Sequence, residues 1–211
     1  MKIAGGLIED GLPVGNAFDK HGSFNPVVRW IMNGFDKTLS DFVNYVSPET
    51  IHETGCGEGF WVFKWKKEGY EVKGSDFSRK IIDIAQDNAV TQGFYPDIFK
   101  VRSIYELNNA EDSADLVVCI EVLEHLEYPE EALKTLRNIA KKYVIFSVPR
   151  EPIWRVLNML RGKYVFNFGN TPGHIQHWSK YRFIRLIEKY FEIIQVKNPL
   201  PWTMILCHVR N

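Results

Sequence analysis

The sequence predicts an α/β fold, a three-layer sandwich around a mostly parallel, doubly wound sheet. Three observations carry that prediction. Helical and strand periodicities alternate along the chain from residue 26 onward. Asp115-Leu-Val-Val-Cys-Ile120 is an unbroken apolar run of strand length, as a central parallel strand covered on both faces requires. Finally, Ile51-His-Glu-Thr-Gly-Cys-Gly-Glu-Gly59 runs from a β-branched start into three glycines at alternate positions. A strand that stops in this way lets a ligand lie on its backbone, and the helix that follows turns its N-terminal amides toward that ligand.

Each element follows in order. The first sixteen residues hold four glycines and Pro13 and read as a loose leader. From Asn25-Pro26 to Val46 an apolar pattern of helical period (Val27, Trp30, Ile31, Gly34, Phe35, Leu39, Phe42, Val43) predicts an amphipathic helix in the position of a lid. Then come a strand at 50–54, a helix at 59–68 ending at Gly69, and a strand at 70–75. A helix at 78–92, capped by Ser78 and ending at Gly93, leads to a short strand at 98–102. After the apolar strand, Pro129 opens a helix to about Ala140, a favoured first helical position for proline. Tyr143–Val148 is the fifth strand, stopped by Pro149. Ser179 caps a helix whose Phe183, Ile184, Ile187 and Tyr190 share one face. Strands at 191–197 and 202–209, joined across Asn198-Pro199, predict a closing antiparallel hairpin.

Composition bounds the function. A chain of 211 residues with 45% hydrophobic and 14% aromatic content suits one folded domain, 1–211, with a substantial core. No segment is long and apolar enough to span a bilayer, so stable membrane insertion is not expected. Met1-Lys-Ile-Ala-Gly-Gly lacks the apolar core of a signal peptide. Cys56, Cys119 and Cys207 are an odd, widely spaced set, which reads as free thiols in a reducing cytoplasm. The formal net charge of zero gives no electrostatic case for nucleic acid. Its distribution is uneven: residues 104–131 carry nine acids and no Lys or Arg, whereas 134–189 carry twelve bases against Glu151 and Glu188. Solvated helix faces alternating by chance account for this, and so does a basic substrate side that receives an anionic group.

A second half of a nucleotide site stands about twenty residues beyond the glycines. Tyr70-Glu-Val-Lys-Gly-Ser-Asp76 reads as a strand ending in a carboxylate suited to a ribose diol. A nicotinamide dehydrogenase wants G-x-G-x-x-G. Here the spacing is G-x-G-x-G, and Phe60 stands where the third small residue would pack. An acidic residue followed by GxGxG resembles instead the S-adenosylmethionine (SAM) site of class I methyltransferases, and the resemblance covers most of 50–150. It implies a Rossmann-like methyltransferase sandwich with seven strands, one of them antiparallel near the C-terminus.

The resemblance also implies roles. Glu53 would face the methionine amino group across the turn of Gly55, Cys56, Gly57 and Gly59. Asp76 would take the ribose hydroxyls by a bidentate, charge-assisted contact, and Phe77 would flank the adenine. Where the family often carries an acid for the adenine amino group, this chain has Ser103-Ile104. Ile120 and Glu121 would lie beside the methionine portion.

The segment Glu121-Val-Leu-Glu124-His125-Leu resembles the family's motif after the fourth strand. On a helical turn residues 121, 124 and 125 share a face, so two carboxylates and an imidazole could converge on a divalent cation. Downstream, Gly173-His174-Ile-Gln-His177-Trp178 offers further imidazoles. Small-RNA 2′-O-methyltransferases and some ubiquinone-biosynthesis O-methyltransferases show a similar E-x-x-E-H and a late histidine. That likeness implies a metal held by Glu121, Glu124, His125 and His174. In metal-free relatives the same groups serve as a base, helix-start charges or packing, and both readings stand.

Residues 150–178 are rich in aromatic and basic side chains (Trp154, Arg155, Arg161, Lys163, Tyr164, Phe166, Phe168), and the resemblance implies that they form an acceptor-side lid insertion. An amphipathic helix lying on anionic lipid is the weaker reading of Trp154, Leu157 and Leu160 between Arg155 and Arg161. The resulting expectation is methyl transfer from SAM to an oxygen or nitrogen of a small-molecule acceptor. His125 is the leading base, and His174 and His177 stand behind it. The alternatives are a metal-dependent O-methyltransferase acting on RNA or a quinone-type phenol, and a SAM-binding protein without turnover.

Overall fold

The computed structural model describes residues 1–9, 12–16 and 22–210. A small hairpin of β1 (Ile8–Glu9) and β2 (Leu12–Pro13) precedes the long helix α1 (Pro26–Val46). The main body then alternates: β3 (Thr50–Thr54), α2 (Phe60–Lys67), β4 (Glu71–Asp76), α3 (Arg79–Thr91), β5 (Phe99–Val101), α4 (Asn109–Asp112) and β6 (Ala114–Ile120). It continues through α5 (Pro129–Ile139), β7 (Ala140–Pro149), α6 (Ile153–Leu160), α7 (Lys180–Ile187), β8 (Phe191–Lys197) and β9 (Trp202–Val209).

Seven strands form one sheet in the order β5-β4-β3-β6-β7-β9-β8. All are parallel except β9, which runs antiparallel to both neighbours. The order reverses between β3 and β6, so the crevice beyond the carboxyl ends of these two strands is the expected ligand position.

Side-chain alternation divides the core into two layers. Leu116, Val118 and Ile120 of β6 pack with α1, α2 and α3, through residues such as Phe35, Trp61 and Ile82. Val117 and Cys119 point the other way, to Leu133 and Leu136 of α5 and Phe183 of α7. All seven residues of β6 are buried, as its unbroken apolar pattern predicts.

Local chemistry sets the ends of the elements. The Asn25 side chain accepts from the Val27 and Val28 amides with Pro26 at the first helical position, so α1 starts where the sequence places it. The apolar face of α1 is shorter than expected. Met32, Phe35, Leu39, Phe42 and Val43 are buried, but Val27 and Trp30 are exposed, because the first turn projects past the sheet-packed part of the helix. Among the described residues no helix is long and apolar enough to cross a membrane.

The loose leader is corrected for its described residues; Gly11 lies outside them. The Val14 amide donates to Leu7 O and the Gly5 amide to Asn16 O. Lys2 and the buried Asn88 of α3 exchange two hydrogen bonds, of 2.8 and 3.0 Å. Ser78 donates its hydroxyl to Glu9, which fastens the hairpin beside the start of α3. Nothing in the sequence of the leader signals Asn88 or Ser78, which lie far along the chain.

Candidate functional site

The site is built on the carboxyl ends of β3, β4 and β6. At the end of β3 the chain turns sharply, and the Gly55 and Cys56 amides both donate to Ser75 O of β4, at 2.7 and 3.0 Å. A Cβ on Gly55 would lie 2.3 Å from Val122 Cγ2, so only glycine permits this passage. Gly57, at φ +53, differs: a Cβ there would meet nothing within 4 Å. The space over Gly57 is open to a ligand. Gly59, also at positive φ, leads into α2, and Cys56 is buried within the turn.

Two carboxylates face this turn from different strands. Asp76 ends β4. Its Oδ2 accepts the Gly57 amide at 3.2 Å and its Oδ1 accepts the Ser78 amide at 3.0 Å. Burial raises its carboxyl above the usual range, and those two amides oppose the rise. Glu53, on β3, is 2% exposed, and its Oε2 is buried without a hydrogen-bond partner among the described residues. Burial pushes its carboxyl well above the ordinary value against the pull of the Val62 amide. A buried carboxylate oxygen with no protein donor, beside an open glycine turn, fits the cationic amino end of SAM.

The other residues expected at the cofactor are placed as follows. Phe77 is half exposed directly after Asp76. Ser103 and Ile104 follow β5; Ile104 is buried, and Ser103 Oγ accepts the Tyr105 amide at 3.4 Å. Ile120 is the buried last residue of β6. Glu121 turns into the left-handed region, φ +57, and its amide donates to Ser147 O at 3.1 Å.

Beyond Glu121 the chain makes a single 3₁₀ turn over Leu123–His125. The tighter turn and the left-handed residue before it replace the helical face expected for 121, 124 and 125. Glu124, His125 and His174 come together, with one ligand atom from each lying within 4.8 Å of the others. Glu121 is outside that group, and Ser147 Oγ donates to its Oε1 at 3.5 Å. His177 is also outside it, with Nε2 2.7 Å from Asn170 Oδ1.

The late histidine is delivered by backbone pairing. The amides of Ile175 and Gln176 both donate to Glu124 O, at 2.9 and 3.0 Å, and Gln176 Nε2 donates to Leu126 O. His125 Nδ1 lies 2.9 Å from Gly173 O. A carbonyl only accepts, so the neutral ring carries its proton on Nδ1.

Three features escaped the sequence reading. Glu58, within the glycine turn, is 1% exposed and accepts the Ala4 amide, the Asn16 amide and Asn16 Nδ2 at 2.7–2.9 Å. It fastens the leader to the glycine turn. Next, Trp154 of α6 stacks on His174 with ring centroids 5.9 Å apart and tilts against Trp202 at 5.8 Å. Trp202 in turn meets Phe35 of α1 edge-on at 4.8 Å. Thus α1, β9 and α6 form one aromatic wall beside the histidines. Last, Trp154 Nε1 donates to Thr171 Oγ1 at 2.9 Å, which fixes the indole. An acid between two turn glycines was the one available sign of Glu58; Phe35 and Trp154 were expected in lid segments, but nothing signalled that both would meet Trp202.

A parallel sheet with one reversed strand, an open glycine turn and a strand-ending acid held to it by hydrogen bonding are the architecture of class I SAM-dependent methyltransferases, and the comparisons agree with it. The methyltransferase domain family matches residues 52–148, from β3 through β7. The ubiquinone biosynthesis O-methyltransferase of Ralstonia nicotianae is 26% identical over 170 residues, covering 78% of this chain and 68% of the relative. The Coxiella burnetii protein of the same description is 25% identical over 151 residues, covering 65% and 64%. The chain therefore spans about two thirds of the length of these relatives. In fold it is similar to the magnesium protoporphyrin IX methyltransferase of Synechocystis, solved with S-adenosylhomocysteine (SAH) bound. That likeness has a TM-score of 0.67 at 20% identity and covers 90% of each chain.

Proposed function

We propose that this protein methylates an oxygen of a small aromatic acceptor, with SAM as donor and His125 as the group that removes the acceptor's proton. The observation that carries the reading is the convergence of His125, His174 and Glu124 after β6, on the same end of the sheet as the glycine turn. SAM, when bound, supplies the electrophilic methyl. Glu53 would hold its amino end, Asp76 its ribose, and the open backbone at Gly57 the span between them. The wall of Trp154, Trp202 and Phe35 suits a flat acceptor, which it would orient and shield from water. His125 would receive the hydroxyl proton at Nε2, since Nδ1 is engaged with Gly173 O.

Relatives described as ubiquinone biosynthesis O-methyltransferases support oxygen, and a phenolic acceptor, over nitrogen or RNA. The bases of the lid favour an acceptor with an anionic group. Buried, unpaired Cys56, Cys119 and Cys207 suit a reducing cytoplasm.

A second reading concerns a divalent ion. Glu124, His125 and His174 are a mixed carboxylate and imidazole set that fits zinc, magnesium, manganese or iron. Their 4.8 Å spread is slightly wider than the ~4.2 Å that two ligands at about 2.1 Å reach across one ion, so a small inward movement would be needed. Such an ion would lower the charge cost of an acceptor oxygen losing its proton.

The test is turnover of SAM with catechol-type and simple phenolic acceptors, read as SAH release. SAH at a hundred times its Kd should also stabilise the fold by about 2.7 kcal/mol while NAD does not. A clear SAH shift without turnover on any phenol would leave a SAM-binding protein and remove the proposed reaction.

A further inference from the structure

We propose that the tip of the lid is a docking surface for anionic lipid, by which the protein rests on a membrane without entering it. Every residue from Met159 to Phe168 is exposed. The exposed side chains are apolar to an unusual degree: Phe166 is 99% exposed, Leu160 78% and Phe168 75%, with Val165, Tyr164 and Met159 beside them. On α6, Val156, Met159 and Leu160 stand at i, i+3 and i+4 and all are exposed, so one outward helix face is apolar. So many exposed apolar side chains gathered within thirteen residues, Val156 to Phe168, mark a surface that something covers.

The tip is built rather than loose. Asn158 is 1% exposed; its carbonyl accepts the Lys163 amide at 2.8 Å, and its Nδ2 donates to Gly169 O at 2.9 Å. The Gly169 amide returns to Tyr164 O, closing the loop. A Cβ on Gly169 would sit 2.2 Å from Arg155 O, so the loop closes tightly against α6. Tyr164 and Phe168 both hold left-handed backbone, φ +55 and +49, on either side of the 3₁₀ turn Val165–Asn167. For aromatic residues that conformation costs on the order of 1 kcal/mol or more each. The fold maintains it around a fully exposed phenylalanine.

Charge identifies the partner. From Pro152 to Ile187 the chain carries Arg155, Arg161, Lys163, Lys180, Arg182 and Arg185, and no acid. Arg161 and Lys163 lie within the apolar tip, and neither is ion-paired to a carboxylate of the described residues. Aromatic and leucine side chains set among unpaired bases are the composition that sinks into a headgroup layer and attracts anionic lipid. A protein partner of matching charge or a second copy of this chain would need acids on the facing surface. The acid-rich segment 104–131 is one place where a second copy could offer them, so self-association is the outcome to set against the proposal.

The experiment is co-sedimentation of the full chain with vesicles of phosphatidylcholine alone and of phosphatidylcholine mixed with phosphatidylglycerol. Binding is expected to the mixed vesicles only, weakening as salt is raised. Leu160→Ser with Phe166→Ser should lower it at least about tenfold, and Arg161→Glu with Lys163→Glu by a similar factor. Both pairs should keep the wild-type melting curve and its shift with SAH. The proposal is overturned by equal binding to neutral vesicles, by no binding to either, or by binding that both double variants retain. Absent vesicle binding together with concentration-dependent dimers that Leu160→Ser and Phe166→Ser abolish would assign the surface to a second copy instead.

Discussion

The ring of His174 stands edge-on to that of His125, their centroids 4.9 Å apart and their planes crossing at 83°. The pairing is enforced by the backbone of 175–176 on Glu124 O and by Gly173 O on His125 Nδ1, so residues 173–176 are stitched to the chain that follows β6.

That arrangement separates two mechanisms experimentally. If the three groups hold a divalent ion, EDTA should abolish turnover and added cation restore it. His174→Ala should then be insensitive to EDTA while keeping its thermal shift with SAH. If His125 acts as a metal-free base, EDTA should have no effect and His125→Ala should lower kcat by roughly 10²–10⁴.

Asp76→Ala should weaken SAM more than it slows the chemical step, because the ribose is remote from the transferred methyl. Loss of a charge-assisted contact should cost about 1.5–3 kcal/mol of binding free energy by calorimetry. The same variant frees the Gly57 and Ser78 amides, so a loosened glycine turn in hydrogen exchange should accompany the weaker binding.

Glu58→Ala removes the acceptor for three leader donors at once. Denaturant unfolding should show a loss of about 1–3 kcal/mol. Limited proteolysis should cut within residues 1–16 sooner than in the parent. Unchanged protection of the leader would mean that Asn88 and Ser78 hold it without Glu58.

His52 gives the fold a pH dependence. Its ring is buried, with Nδ1 2.7 Å from Asp112 O and Nε2 2.9 Å from Ser75 Oγ, and burial lowers its pKa from 6.5 to about 4. The unfolded chain takes up this proton below about pH 6.5 and the folded chain only near 4, so stability falls as pH drops through that window. The full difference is about 3 kcal/mol, all of it present above the window. Glu53 and Asp76, with raised carboxyls, act in the opposite direction as pH falls. The comparison is therefore parent against His52→Gln: the variant should lose the part of the slope between pH 6.5 and 4 that belongs to this ring.

Much of the core of the molecule was legible in the chain itself. Period 2 against period 3.6, Pro26 and Pro129 at helix starts, Asn25, Ser78 and Ser179 as caps, and the unbroken apolar β6 are local signals. They set local geometry whatever lies across the fold. The glycine turn and Asp76 were legible for the same reason, since a positive φ and a strand-ending acid are written in residue types and spacing. Three things were decided only by tertiary structure. Glu121 left the metal-like group because its own left-handed turn and the Ser147 carbonyl set its direction. Trp154, Trp202 and Phe35 became one wall because α6, β9 and α1 meet in space. The leader closed on Glu58 because a buried carboxylate needs donors, and the nearest came from the far end of the chain.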